Sequence, residues 1–284
     1  MVARLPARWL LALALLLQGG CQSLDLDQGS GHAMLRPANM SSDSVGLEIL
    51  FVRTKLDDVE VNEKLWKEVD EQRLPAELRR QLAENGFRVG VVGSSVPAAL
   101  AKLLAGKDGA KVSEKTGTPP SGDIAQLDGE PAITGRRLQL RAGAPSEIQA
   151  SRVYEQLPLL MRRDGQVVGN LLPKAQGVFI LRTQFEPGGA VQLNLAPEMQ
   201  YGEMAQSFEP TQEGVWKLQA SRKREAFPNL DMTASLSAGQ MLILTCLPEQ
   251  TGSLGHHFFA DRTSGVTEQK LVIIRLSQTQ QTEL

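Results

Sequence analysis

Few residues in this 284-residue chain are of types that do chemistry. It has three histidines, and only His256 and His257 stand together, in "TGSLGHHFFADRTSG", where Asp261 is the nearest carboxylate. A zinc site needs three or four converging ligands, and neither H-E-x-x-H nor C-x-x-C occurs to supply them. Adjacent residues on an extended chain point to opposite faces, so these two histidines share a metal only across a bend. His256, His257 and Asp261 are thus the candidate metal ligands. The leading expectation is instead a Gly-flanked surface hairpin loop that holds no metal or other cofactor and sends one ring of Phe258-Phe259 into the core. His32 stands in a polar stretch and is expected to be solvated.

Nucleophile signatures are equally sparse. Gly252-Ser253-Leu254-Gly255 lacks the G-x-S-x-G spacing, and that motif needs a strand-to-helix turn where strands are expected on both sides here. No serine is followed three places later by lysine. Gly86, Gly90 and Gly93 form neither a dinucleotide nor a Walker pattern, and a helix cap and close packing explain them. Asp57-Asp58 reads as a solvated element end. No catalytic residue is assigned, and the chain is expected not to be an enzyme. A surface hydrolase with an unrecognised site ranks last.

The other chemical residue is Cys21. Met1–Arg8 carries Arg4 and Arg8 without an acid, Trp9–Leu17 is apolar, and Gly19-Gly20 precedes the cysteine. These are the parts of a secretory signal over residues 1–20. Nine apolar residues reach about 14 Å as a helix, against roughly 30 Å of bilayer core. The arrangement resembles the signal of bacterial lipoproteins, whose cysteine is acylated and becomes the first mature residue. It departs from that family's leucine at Gln18. The resemblance implies lipidation of Cys21 and attachment to a membrane through the acyl anchor. Gln22 in place of Asp implies the outer membrane. Cys246, in "GQMLILTCLPE", is then a buried, inert thiol. Without acylation Cys21 is incidental to an ordinary signal, the protein is periplasmic or secreted, and a Cys21–Cys246 disulfide competes.

Thirty basic against thirty-two acidic residues are interspersed, so no basic face marks a nucleic-acid partner. Aromatic residues at 5 % argue against a stacking groove. Apolar residues at 42 % and charged ones at 22 % fit a folded chain.

The elements follow from periodicity. Residues 21–44 are small and polar and read as a tether. "VGLEILFVRT" is a buried strand. "VNEKLWKEVDEQ" places Val61, Leu65 and Val69 on one helical face. "LPAELRRQLAENGF" is a helix with Pro75 at its start, Leu78 and Leu82 inward and Asn85-Gly86 as its stop. "FRVGVVG" is a second strand and "VPAALAKLL" a third helix. Residues 45–104 are expected to form a small α/β module with its two strands parallel. Residues 105–135 break the pattern and read as a linker or mobile loop.

From residue 136 to 279 the period is two. Asp164-Gly165 and Pro187-Gly188-Gly189 mark hairpins. Val191, Leu193 and Leu195 face inward, as do Trp216 and Leu218, then Met232, Ala234 and Leu236. "QMLILTCL" and "KLVIIRL" are dense enough to be central strands. Residues 280–284 are a tail. The expected class is α+β, the module being followed by an antiparallel β-sandwich or partly closed β-barrel.

Two pieces of this half resemble the C-terminal β-domain of secretins, the outer-membrane ring proteins of secretion and pilus systems. "VQLNLAPEM" is similar to that family's strand ending in Pro-Glu, and "LSAGQMLIL" to its Gly-centred strand. The paired glycines the family carries after the latter are replaced here by "TCLPE". No membrane-spanning hairpin is evident in the sequence. The resemblance implies a β-fold used for assembly. The expected role is a lipid-anchored, non-enzymatic envelope protein working through a protein partner, with exposed strand edges as the means. The alternative is an accessory or secretin-like subunit of an outer-membrane secretion or pilus complex.

Overall fold

The computed structural model describes residues 43–105, 133–163, 165–210, 216–263 and 265–280. The signal, Cys21, His32, all but the last two residues of the tether, residues 106–132, Asp164 and residues 281–284 lie outside them, as do the side chains of Trp216 and Leu218.

The chain is α+β, and the strands among the described residues form two antiparallel sheets. The first contains β1 (Ser44–Lys55), β2 (Phe87–Val92), β3 (Ile133–Arg141), β10 (Met241–Cys246), β11 (Ala260–Thr263) and β12 (Val266–Gln280), in the order β2-β10-β12-β1-β3 with β11 beside β12. Every residue of β10 is buried. A strand apolar on both faces is stable only when both faces are covered, and here they are. Leu242, Leu244 and Cys246 join Val272, Ile274 and Leu276 in the large core shared with the second sheet. Ile243, Leu271 and Ile273 join Val61, Leu65, Trp66 and Leu100 beneath the helical segments.

The two dense strands therefore sit centrally, as their composition demands, and this corrects the expected pairing. β1 and β2 are neither neighbours nor parallel, because β10 and β12 occupy the places between them, each step antiparallel. Strands from 45–104 and from 136–279 thus interleave in one sheet.

α1 (Ala76–Glu84) ends at Asn85-Gly86, with Gly86 at φ +80° and Leu82 buried. α2 (Ala98–Ala105) buries Ala99 and Leu100. The segment before them is not the expected α-helix. It is a π turn at Glu60–Lys64 followed by 3-10 turns at Leu65–Lys67 and Glu71–Arg73. Val61, Leu65 and Val69 are nevertheless all buried. A helix cannot run on to Gln72 because Asp70 spends its backbone N–H and carbonyl on Val91 of β2, at 2.8 and 3.0 Å. Close passage of this segment also explains Gly90, where a Cβ would lie 2.4 Å from Val69 Cγ1.

The second sheet contains β4 (Ser146–Gln149), β5 (Tyr154–Arg163), β6 (Gln166–Phe185), β7 (Val191–Pro210), β8 (Trp216–Ala226) and β9 (Met232–Leu236). Both expected hairpins are present, with Arg163 opposite Gln166 and Phe185 opposite Val191. Its order is β4-β6-β7-β8, with β5 also on β6 and β9 on β7. Arg224 of β8 nevertheless reaches Glu147 of β4 at 3.2 Å, which requires the base of this sheet to curl. Burial raises the pKa of Glu198 beneath that bridge, against the pull of the Arg224 guanidinium. Val191, Leu193, Leu195, Met232, Ala234 and Leu236 are buried as their alternation requires.

Candidate assembly interface

The residues singled out for chemistry converge only in part. Ser253 to Phe259 is not a surface hairpin loop. Leu254–Phe259 forms a short helix, α3, whose N-cap Ser253 accepts the His256 N–H at 3.2 Å. Ser253 thus caps a helix rather than lying between strands, and its hydroxyl is held by that cap. Phe258 and Phe259 are both fully buried, where one was expected. They meet Phe87 edge-on, with centroids 5.4 and 6.0 Å away. Two small residues permit this. A Cβ on Gly255 would lie 2.2 Å from the Gly86 carbonyl, and one on Gly177 2.9 Å from the Phe258 ring.

His257 packs edge-on against Tyr154, whose hydroxyl donates to the His257 carbonyl at 3.0 Å. Burial, with His256 beside it, lowers the pKa of His257 to about 4, and burial lowers that of His256 as well. Asp261 is engaged by Arg152 at 2.8 Å, and Arg152 stacks on Tyr154. Burial raises the tyrosine to about 12. Among the described residues no group of three His, Cys, Asp or Glu side chains is placed to hold a metal. Cys246 is a buried free thiol raised to about 12 by desolvation. This arrangement braces α3 against β5.

The feature that composition did not disclose lies in the second sheet. β6 and β7 are 20 residues each, roughly 65 Å of strand at full extension. They pair only from Gln176–Gln200 to Phe185–Val191. Beyond that rung they part. β6 continues with β5 as one hairpin and β7 with β8 as another. Two left-handed residues turn the strands away, Lys174 at φ +47° and Gly202 at φ +80°. β7 also bulges between Tyr201 and Ala205, a device that bends and twists a strand. An ion pair from Lys174 Nζ to Glu203 Oε1 spans the fork.

The two arms differ in cover. The β5–β6 arm lies on the body, with Leu157, Leu159, Met161 and Leu172 buried. Its other face is apolar yet open, with Leu160 54 % and Leu171 63 % exposed. An outward sheet face is ordinarily polar, and exposed apolar patches mark interaction sites. The described side chains of the β7–β8 arm are open instead. Glu203, Met204, Ala205 and Gln206 in succession are exposed, and so is Ala220 opposite Gln206. Consecutive strand residues alternate faces, so this stretch of the ribbon meets solvent on both. Among the described residues no strand pairs with it beyond β7 and β8 themselves.

No family model and no curated protein matches the chain. Among solved structures it is similar to the type IV competence pilus secretin PilQ of V. cholerae, at 12 % identity and a TM-score of 0.21. The match covers 82 % of this chain and 57 % of that one, so the chain spans little more than half of the secretin's length. Among the described residues no helix is long and apolar enough to cross a membrane.

Proposed function

We propose that the chain is a non-enzymatic assembly subunit of the bacterial cell envelope, held at the outer membrane through acylated Cys21, with the β7–β8 arm as its docking element. The observation behind this reading is the arm's double exposure. A two-stranded ribbon is marginally stable in water unless a third strand or another layer covers it, and an unpaired edge is a template for another chain. A ribbon of 11-residue β8 on the distal half of β7 is therefore suited to completion by a partner. The anchor concentrates the subunit at a surface, because two or more acyl chains hold a protein stably where one does not.

Two experiments test this reading. Mass spectrometry of the mature N-terminus is expected to find lipid on Cys21; an unmodified thiol moves the protein to the periplasm or exterior. A photo-crosslinking residue at Ala220 is expected to give a discrete adduct in membranes that is absent when the same residue replaces Val96, which is exposed on the body. Equal adducts from both positions contradict the docking role. An adduct to a secretin component would favour the accessory-subunit alternative.

A further inference from the structure

Four charges form a row across the fork. The rungs Tyr154–Ala175 and Gln156–Pro173 bracket Glu155 and Lys174, which places Glu155 of β5 opposite Lys174 of β6. Lys174 pairs with Glu203 of β7. The rungs Tyr201–Lys223 and Ala205–Ser221 bracket Arg222 of β8, which places it opposite the bulge that carries Glu203. Lys174 experiences the charges of Glu203, Glu155 and Arg222 together. From β5 to β8 the row therefore reads minus, plus, minus, plus.

Such a row has polarity. Its β5 end terminates in exposed Glu155, and its β8 end in half-buried Arg222 beside exposed Lys223. Two copies side by side in the same orientation bring plus against minus at the joint and continue the alternation. Two copies related by a two-fold axis through either end bring Glu155 against Glu155, or Arg222 against Arg222. Like charges across an interface are costly and select against that arrangement. The uncovered elements point the same way, because among the described residues no strand pairs with the ribbon on the β8 side while Leu160 and Leu171 leave the outer face of the β5–β6 arm open. Each copy presents one of each.

We propose that the partner of the β7–β8 arm is a second copy of this chain, joined head to tail, with Arg222 and Lys223 of one copy facing Glu155 and the open face of the β5–β6 arm of the next. This rests on the docking role given to the arm above. Ser253 already bridges β5 at Leu160, which confines the joint on that edge to the fork end of the strand. A heterologous joint of this kind makes a ring if the rotation closes and a filament if it does not.

The test uses the full acylated chain extracted in detergent, with its mass measured for wild type, Glu155→Lys, Arg222→Glu and an equal mixture of the two variants. Wild type is expected to form species larger than a dimer. Each variant alone places like charges at every joint and is expected to associate roughly tenfold more weakly. The mixture allows alternating joints of opposite charge and is expected to recover assembly. Three results overturn the inference: a wild-type dimer, assembly unaffected in both variants, or no recovery on mixing. A chain that stays monomeric but crosslinks through Ala220 to another protein also overturns it, while leaving the docking role intact.

Discussion

Lys174 donates to Glu203 across the point where one sheet becomes two. Below this pair β6 and β7 share a continuous ladder; above it each belongs to a separate hairpin. The pair is exposed, so its charge interaction contributes little to stability. Its location matters more, because the backbone at Lys174 adopts a left-handed conformation that side-chain-bearing residues disfavour.

Substitutions at Lys174 should separate charge from backbone. Lys174→Ala removes the ion pair and keeps the Cβ in a left-handed position. Lys174→Gly removes the pair and relieves the backbone. Glycine is expected to be the more stable by about 1 kcal/mol, read from denaturant midpoints. The reverse order would mean that the fork does not impose the φ observed.

Gly255 is a sharper case. A methyl group there meets the Gly86 carbonyl and the Phe87 nitrogen at 2.2 and 2.7 Å, and neither backbone atom can move without disturbing β2. Gly255→Ala should cost about 3 kcal/mol, at the upper end for overpacking. Gly93→Ala, where nothing lies within 4 Å, should stay within about 0.5 kcal/mol.

His257 makes stability depend on pH. Its pKa is lowered from 6.5 to about 4 in the folded chain, so above pH 6.5 both states are neutral and its contribution is fully present. As pH falls from 6.5 toward 4, the unfolded chain takes up a proton that the folded chain refuses, and stability is lost. Allowing for solvent at the ring's open side, the loss is about 2 kcal/mol, with His256 adding in the same direction. His257→Gln should flatten the fall of the urea midpoint over this range. An unchanged slope would place the histidine in water.

Cys246 should be silent. With the thiol buried and raised to about 12, the thiolate that reacts with maleimides is scarce. Labelling of Cys246 is expected only with global unfolding. Rapid labelling of the native chain would show that β10 opens locally.

Much of the fold is written in local pattern. The burial of Val61, Leu65 and Val69, the stop at Gly86 and the centrality of β10 and β12 each follow from a few neighbouring residues. The partner of β2 did not, because strand order depends on which apolar strands compete for the centre. His256-His257 looked like a loop because glycines flank it, whereas Phe258 and Phe259 are a pair whose joint burial against Phe87 favours a helical turn. The fork was hidden for a different reason. Its turning residues are one lysine and one glycine within long alternating strands, and Lys174 carries no sequence signal for a positive φ. The Glu155–Lys174–Glu203–Arg222 row joins four strands, so no spacing along the chain reveals it.

A docked β7–β8 arm is covered when the protein is in place. Cysteines at Met204, Gln206 and Ala220 probe it against a quiet background, since Cys246 is buried and an acylated Cys21 has no free thiol. In the isolated monomer a hydrophilic maleimide should label all three quickly, as it should a control cysteine at exposed Val96. In opened native membranes the control should still label while the arm positions are protected. Equal labelling of arm and control in membranes would contradict the docking role of the arm.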